Sequence, residues 1–264
     1  MPTATENYWD ACAELLQRVR AQHDAVQTAA EWFSRTILAG RMVHLFGAGH
    51  SRIMVEEMWP RYGSFPGFNP IVELSLTFHN PVVGANGQRQ AMFLENTPGL
   101  AARILRNFAL HPDDSALVVS SSGVSVVAVE MAELFRSQDI RVVALVSRAH
   151  CEASSARRAD GQKLIDMADL VLDTGAPVGD AMVTIPGLDT PVAPGSTVGG
   201  CMIINGIKAA VAERLARAGY SPRVLTAGNV VGAQRSTELF EAAYDEHARR
   251  LARLFAPLGS DHHV

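Results

Sequence analysis

The chain has 264 residues, of which 48% are apolar and 19% are charged, and its formal net charge is −4. This length and composition predict one large α/β domain or two small ones, with a sizeable core. The weakly acidic balance, without a basic stripe, argues against nucleic acid as the main partner. No apolar run reaches the ~18 residues of a membrane span, so we expect no membrane association.

The N-terminus and the cysteines predict a cytoplasmic protein. Residues 1–6 are polar and acidic, which is not typical of a signal peptide. The three cysteines, Cys12, Cys151 and Cys201, show neither CxxC nor CxxH spacing. An odd number without such spacing is typical of reduced thiols rather than of a disulfide framework or a zinc site.

A glycine-rich turn follows the first strand of the chain. Apolar residues recur at helical spacing over 7–38, which fits two helices or one kinked helix. An apolar strand over 42–46 then leads into a turn and a helix, and the turn reads Gly47-Ala48-Gly49-His50-Ser51. A lone GxGxS fits either a nucleotide loop or a tight turn. Arg52 stands where the GxGxxG pattern of a dinucleotide site needs its last glycine, so a dinucleotide site is a poor match. No lysine follows the turn as it does in a P-loop.

A serine-rich turn follows a central strand. The sequence predicts a strand over 71–76 and a helix from Pro98. A buried strand over 115–119 follows, and it leads into the turn Ser120-Ser121-Ser122-Gly123-Val124-Ser125 and then into a helical pattern. Backbone N–H groups at such a turn lack partners and carry partial positive charge, which suits a phosphate, sulfate or carboxylate. The alternative is plain N-capping by one serine, with the others solvated.

The second half of the chain repeats the alternation of strands and helices. We predict strands over 140–146, 169–173 and 222–225, irregular structure over 174–181, and a helix over 198–218. A last helix over 235–258 has an apolar stripe for packing on the domain or on a second subunit. Strands that are apolar on both faces predict a parallel sheet covered on both sides. Ligands bind beyond the carboxyl ends of such strands, where the two turns would converge.

Together these turns resemble the sugar isomerase (SIS) domain family. The resemblance spans most of the chain and rests on the two turns, on further stretches such as Thr97-Pro98-Gly99-Leu100, and on Pro194-Gly195-Ser196-Thr197 before a helix. It implies a three-layer α/β/α sandwich with a five-stranded parallel sheet. It also implies a homodimer or homotetramer with sites near subunit interfaces. We predict a helical segment over 1–40 that packs on the core or a second subunit, an SIS domain over 41–229, and a C-terminal helix and tail over 230–264.

The resemblance also implies which residues form the site. Glu57 is the predicted base and His50 a second catalytic residue, while the predicted substrate-binding residues are Gly49, Ser51, Ser120, Ser121, Ser122, Gly123, Ser125, Ser196 and Thr197. Zinc-dependent relatives carry histidines where this chain has Glu56, Glu57 and Asn205, so no metal and no other cofactor is expected. Glu95, His79 and Asp180 are weaker candidates, and Arg158 is a possible anion ligand.

The implied ligand is a hexose or amino-sugar phosphate. A base next to the substrate carbonyl would remove a proton, which is the first step of aldose–ketose isomerisation. Dehydration of an amino-sugar phosphate, the activity of one similar branch, shares that step and is the alternative. A non-catalytic phosphosugar sensor that acts through a protein partner is the second alternative.

Overall fold

A computed structural model describes residues 2–77, 85 and 87–255. Its centre is a five-stranded parallel sheet in the order β2-β1-β3-β4-β5. The strands are β1 (Val43–Gly47), β2 (Phe68–Ile71), β3 (Ser115–Val119), β4 (Arg141–Val146) and β5 (Leu170–Asp173). A separate antiparallel hairpin pairs β6 (Ala181–Val183) with β7 (Val192–Pro194). The parallel sheet confirms the predicted fold class.

Helices cover both faces of this sheet. In chain order they are α1 (Ala4–Arg20), α2 (His23–Leu38), α3 (Arg52–Met58), α4 (Gln88–Leu94), α5 (Leu100–Leu105), α6 (Val126–Arg136), α7 (Arg148–Ala153), α8 (Leu164–Met167), α9 (Ser196–Arg217), α10 (Gly228–Val231) and α11 (Ala233–Leu254). Short 3-10 turns span Gly49–Ser51 and Leu74–Leu76. Within the described ranges, no helix is long and apolar enough to cross a bilayer.

Alternate residues of each strand pack into two different cores. In β3, Leu117 and Val119 contact the core beneath α1, α2, α3 and α9, whereas Ala116 and Val118 contact the core beneath α5, α6 and α8. This alternation follows from the period of two along a strand. A strand with apolar residues on both sides is therefore held from two directions, which fixes its carboxyl end in place.

The N-terminal helices pack on the domain itself. Leu15 of α1 and Phe33 of α2 are fully buried, and α2 lies along α9. Tyr8 Oη also donates to the carbonyl oxygen of Pro194, at 2.9 Å. Residues 4–38 form two helices, separated at residues 21 and 22.

The edge strand differs from its prediction. β2 ends at Ile71 instead of running to Leu76, and Leu74–Leu76 is a 3-10 turn. Pro70 is tolerated inside β2 because an edge strand has one side without ladder hydrogen bonds. The helix expected from Pro98 begins at Leu100, after the left-handed Gly99.

One further prediction about secondary structure was wrong. Residues 222–225 form no strand, although Leu225 N still donates to Ser64 O at 2.8 Å. The segment after β5 is irregular over 174–180, as expected, and enters the hairpin at Ala181. Gly179 and Asp180 both have left-handed backbone angles, and they turn the chain into that hairpin.

A buried polar network joins the amino-terminal ends of the central strands. The carboxylate of Asp114 is fully buried and pairs with Arg41 Nε at 2.8 Å and with His44 Nε2 at 3.2 Å. Asn69 Nδ2 donates to His44 Nδ1 at 3.0 Å, so the His44 proton lies on Nε2, toward Asp114. This network lies at the opposite end of the strands from the two predicted turns.

Candidate functional site

The serine-rich turn after β3 presents unused backbone donors. In the described part of the chain, the N–H groups of Ser121, Ser122, Val124 and Ser125 donate no hydrogen bond. Gly123 is left-handed, with φ of 63°, and a Cβ there would lie 2.7 Å from Cys151 Sγ. Only glycine therefore fits the turn, whose concave row of N–H groups is typical of an anion site.

This turn lines a cavity of about 260 Å³, which we call the serine cavity. Four of the predicted serines of the turn meet Ser51, from the glycine-rich turn after β1, across this space. The convergence follows because β1 and β3 are parallel neighbours. Its lining residues are Ala48, Ser51, Glu95, Val119, Ser120, Ser121, Ser122, Ser125, His150 and Asp180.

His150 brings a ring nitrogen donor to the cavity. Its Nδ1 accepts a hydrogen bond from the backbone N–H of Gly179 at 2.9 Å. A neutral imidazole that accepts at Nδ1 carries its proton on Nε2. His150 can therefore donate to an oxygen atom of a ligand in the serine cavity.

The carboxyl group of Glu95 belongs to a residue that lines the cavity, and its pKa is raised. Burial raises the pKa of Glu95. The charge of Arg157 lowers this pKa in part, since its Nη1 atom lies 3.8 Å from the carboxylate, but the net shift is upward. The Glu95 carbonyl oxygen accepts from the N–H of Val127 at 2.9 Å, which ties this residue to the first turn of α6. A positioned carboxylate with a raised pKa is a suitable general base.

Asp180 takes up the donors at the start of α9. Its Oδ1 accepts from Ser196 N at 2.7 Å and its Oδ2 from Ser196 Oγ at 2.7 Å. The carboxylate thus occupies the position that an anion takes at a helix N-terminus. Ser196 and Thr197 are not among the residues that line the serine cavity.

Glu57 lies in a different polar cluster, on α3 and against α9. Its Oε1 accepts from Asn205 Nδ2 at 2.7 Å, and its Oε2 accepts from Arg61. Burial raises the pKa of Glu57, but the bonds from Asn205 and Arg61 and the charge of Lys208 outweigh it, so that the net shift is downward. Lys208 Nζ donates to the Glu57 carbonyl oxygen at 2.7 Å. Glu57 is not among the residues that line the serine cavity.

The other predicted residues are placed as follows. Gly49 and His50 form the 3-10 turn with Ser51, but neither lines the serine cavity. Arg158 pairs with Glu133 at 2.6 Å and with Asp160 at 2.5 Å. His79 lies outside the described residues. Within those residues, no three His, Cys, Asp or Glu side chains group closely enough to hold a metal ion.

Two residues that line the serine cavity, Glu95 and His150, had little support from the sequence. Glu95 ranked below Glu57 because nothing local in the sequence brings it to the serine turn. His150 received no role from the sequence, although its place just beyond the carboxyl end of β4 is a usable signal.

Comparisons with known proteins agree with this architecture. The SIS domain model matches residues 7–147. A UPF0309 protein of Listeria monocytogenes serotype 4b is 30% identical over 241 residues, which cover 91% of this chain and 95% of that protein. A UPF0309 protein of Streptomyces griseus is 33% identical over 226 residues, which cover 85% of this chain and 88% of that protein.

Two solved structures show the same fold. The phosphoheptose isomerase of Neisseria gonorrhoeae matches with a TM-score of 0.51 at 14% identity, over 79% of this chain and 97% of that one. The phosphoheptose isomerase of Francisella tularensis matches with a TM-score of 0.50 at 16% identity, over 79% of this chain and 96% of that one. From the domain match and from the relatives, we conclude that the chain belongs to the SIS domain family.

Proposed function

We propose that the chain binds a sugar phosphate in the serine cavity and removes a proton next to the carbonyl carbon of the sugar. The single observation that carries this proposal is the pairing, in one cavity, of unused backbone donors with a carboxyl group of raised pKa. The donors suit a phosphate and the carboxyl group suits a base. Family membership supports the sugar phosphate as the ligand class.

In this proposal the phosphate lies against the turn at Ser121, Ser122 and Ser125. Their hydroxyls and the free N–H groups would donate to its oxygens. A sugar that extends from this anchor would bring its carbonyl end toward Glu95 and His150. The phosphate position thus sets the orientation of the reacting carbon, which is the main role of a remote binding group.

Glu95 would act as the base and His150 as the donor to the developing oxyanion. Removal of the proton at C2 of an aldose leaves an enediolate, whose charge the His150 Nε2–H would stabilise. Return of a proton to C1 completes isomerisation to the ketose. Loss of the hydroxyl at C3 from the same type of intermediate, as water, would instead complete a dehydration. Isomerisation is our first proposal and dehydration the alternative.

Glu57 stays the alternative base from the sequence prediction. Its carboxylate is held by Asn205 and Arg61, and its lowered pKa favours a charged group that binds or orients over one that accepts a proton. If Glu57 serves as the base, the substrate must reach the surface between α3 and α9. His50 stays a proposed catalytic residue under the same condition, namely that the substrate reaches this surface.

We also propose a homodimer or homotetramer. Phe93, two residues before Glu95, is 74% exposed, and Met92 beside it is 40% exposed. An exposed aromatic residue next to the site is typical of an interface. Sedimentation of the wild-type chain and of Phe93→Asp tests this: we expect an assembled wild type and a dissociated variant, and a monomeric wild type would refute it.

The experiment that tests the function incubates the chain with a panel of hexose and amino-sugar phosphates in D₂O and follows each by NMR. Deuterium at C1 of a ketose product, with deuterium at C2 of the recovered aldose, supports isomerisation. Loss of a hydroxyl with a new vinylic proton supports dehydration. Thermal stabilisation by one sugar phosphate, without exchange in any of them, would refute the enzyme and support the sensor.

A further inference from the structure

A second cavity lies at the edge of the sheet, between α5 and α11 and beside the end of β2. Its volume is about 460 Å³, which is within the range of small-molecule sites. It shares no lining residue with the serine cavity. We call it the edge cavity, and the function proposed above does not use it.

Two opposite charges line the edge cavity without neutralising each other. Among the described residues, the guanidinium of Arg103, on α5, forms neither an ion pair nor a hydrogen bond. The Oε1 atom of Glu73 accepts from Ser75 N at 3.1 Å and from Ser75 Oγ at 2.8 Å, and in the part of the chain that the structure describes its Oε2 atom has no partner. Both Arg103 and Glu73 line the cavity, so each offers a charge to a ligand there.

Apolar side chains line the floor of the same cavity. Ile104 and Phe108 come from one face of α5 and its extension, and Leu251 comes from α11. Ile104 belongs to the core beneath α5 and α6, so this wall is held in place. An apolar group of a ligand would bury its surface against these side chains, which favours binding.

One buried polar atom beside the cavity lacks a hydrogen bond to any described residue. His247 lines the cavity, and its Nδ1 is buried without a partner in the described part of the chain. The ring is held against Trp59, with 5.1 Å between the two ring centroids. A buried ring nitrogen without a partner costs free energy, which a ligand or a bound water would recover.

We propose that the edge cavity binds a zwitterionic small molecule with an apolar side chain, which is the chemical class of the apolar α-amino acids. The ligand carboxylate pairs with Arg103 and its ammonium group with Glu73. Its side chain lies on Ile104 and Leu251. One positive and one negative residue around an apolar floor match this ligand, whereas a sugar phosphate would bring two negative charges and no apolar body.

Calorimetric titration of the full chain with L-leucine and with L-phenylalanine tests the proposal. We expect saturable binding of at least one of them at millimolar concentration or below. The variants Arg103→Gln and Glu73→Gln should each weaken it about fivefold or more, as expected for a partly exposed ion pair at the upper end of its range. Ser122→Ala, in the serine cavity, should leave this binding unchanged.

Chemical variants of the ligand make the test independent of folding. N-acetyl-L-phenylalanine lacks the ammonium group and L-phenylalaninamide lacks the carboxylate, so both should bind more weakly than L-phenylalanine. The Glu73→Gln variant should bind N-acetyl-L-phenylalanine and L-phenylalanine with equal affinity. The Arg103→Gln variant should bind L-phenylalaninamide and L-phenylalanine with equal affinity. Absence of binding by both amino acids, or binding that neither substitution changes, would overturn the proposal. Neither result bears on the sugar phosphate proposal, because the two cavities are lined by different residues.

Discussion

The Nη1 atom of Arg157 lies 3.8 Å from a carboxylate oxygen of Glu95, whose side chain lines the serine cavity. Burial and this arginine act on the Glu95 pKa in opposite directions, and burial dominates. The strength of the proposed base thus depends on a charge outside the lining of the cavity. A substitution at Arg157 changes that charge without touching the cavity wall.

Replacing Arg157 by glutamine should move the acidic limb of the pH profile. Loss of the positive charge raises the Glu95 pKa further, so the carboxylate that accepts the proton forms only at higher pH. We expect the acidic limb of kcat/KM to shift upward by up to about one pH unit. The matched control is Arg158→Gln, because Arg158 pairs with Glu133 and Asp160 instead. An unshifted Arg157→Gln profile would show that Glu95 is not the titrating base.

Replacing Ser122 and Ser125 together by alanine should weaken sugar phosphate binding. Hydrogen bonds to a charged group contribute about 1.5–3 kcal/mol each, so we expect KM to rise at least roughly tenfold. The value of kcat should fall as well, because the phosphate position sets the orientation of the reacting carbon. Ser137→Ala, at the other end of α6, is the matched control. Unchanged affinity in the double variant would remove the serine turn from the site.

Replacing Ser121 by alanine should not destabilise the free chain. Its Oγ is buried without a partner among the described residues, so its removal also removes a desolvation cost. We expect the free energy of unfolding in urea to stay equal or to rise by up to about 1 kcal/mol. The control is Ser147→Ala, whose fully buried Oγ donates to Ala176 O at 2.8 Å and whose loss should cost about 1 kcal/mol. A loss of stability in Ser121→Ala as large as in Ser147→Ala would contradict this account.

Replacing Asp114 by asparagine should reduce the free energy of unfolding and make it depend less on pH in the acidic range. Burial raises the pKa of Asp114, but hydrogen bonds from His44 and Arg41 outweigh it and hold the pKa below its ordinary value of 3.8. A lowered pKa stabilises the folded state above the unfolded pKa, and this contribution is lost as the pH falls through the folded pKa.

We expect Asp114→Asn to lose about 3–5 kcal/mol at neutral pH, as for a broken buried ion pair. The loss should shrink when urea unfolding is repeated in acid. Asp113→Asn, which changes an exposed neighbour, should behave like wild type. Equal stability losses at neutral and acidic pH would show that the charge of Asp114 is not the cause.

The central strands and their turns could be predicted from sequence because their signals are local. β3 has apolar residues on both faces, and the serines that follow it are contiguous, so the strand end and the turn follow from one short stretch. The edge strand β2 was misplaced because Pro70 resembles a strand breaker, and only its position at the sheet edge makes it acceptable.

The position of Glu95 depends on contacts that no local pattern contains. Its backbone is tied to Val127, thirty-two residues later, and the chain after it turns at the left-handed Gly99. Glu57 was singled out through the resemblance to the SIS domain family, on the helix that follows the glycine-rich turn. Its links to Asn205 and Lys208 on α9 span 148 and 151 residues of the sequence, and they place it in another cluster.

Solvent exchange in Glu95→Gln and Glu57→Gln tests the central claim most directly. Both variants are incubated in D₂O with the sugar phosphate that the wild-type chain exchanges, and deuterium at C2 is followed by NMR while binding is measured by calorimetry. The account predicts that Glu95→Gln loses exchange by a factor of about 10² or more and still binds the sugar phosphate, whereas Glu57→Gln exchanges at close to the wild-type rate. Retained exchange in Glu95→Gln together with lost exchange in Glu57→Gln would contradict it.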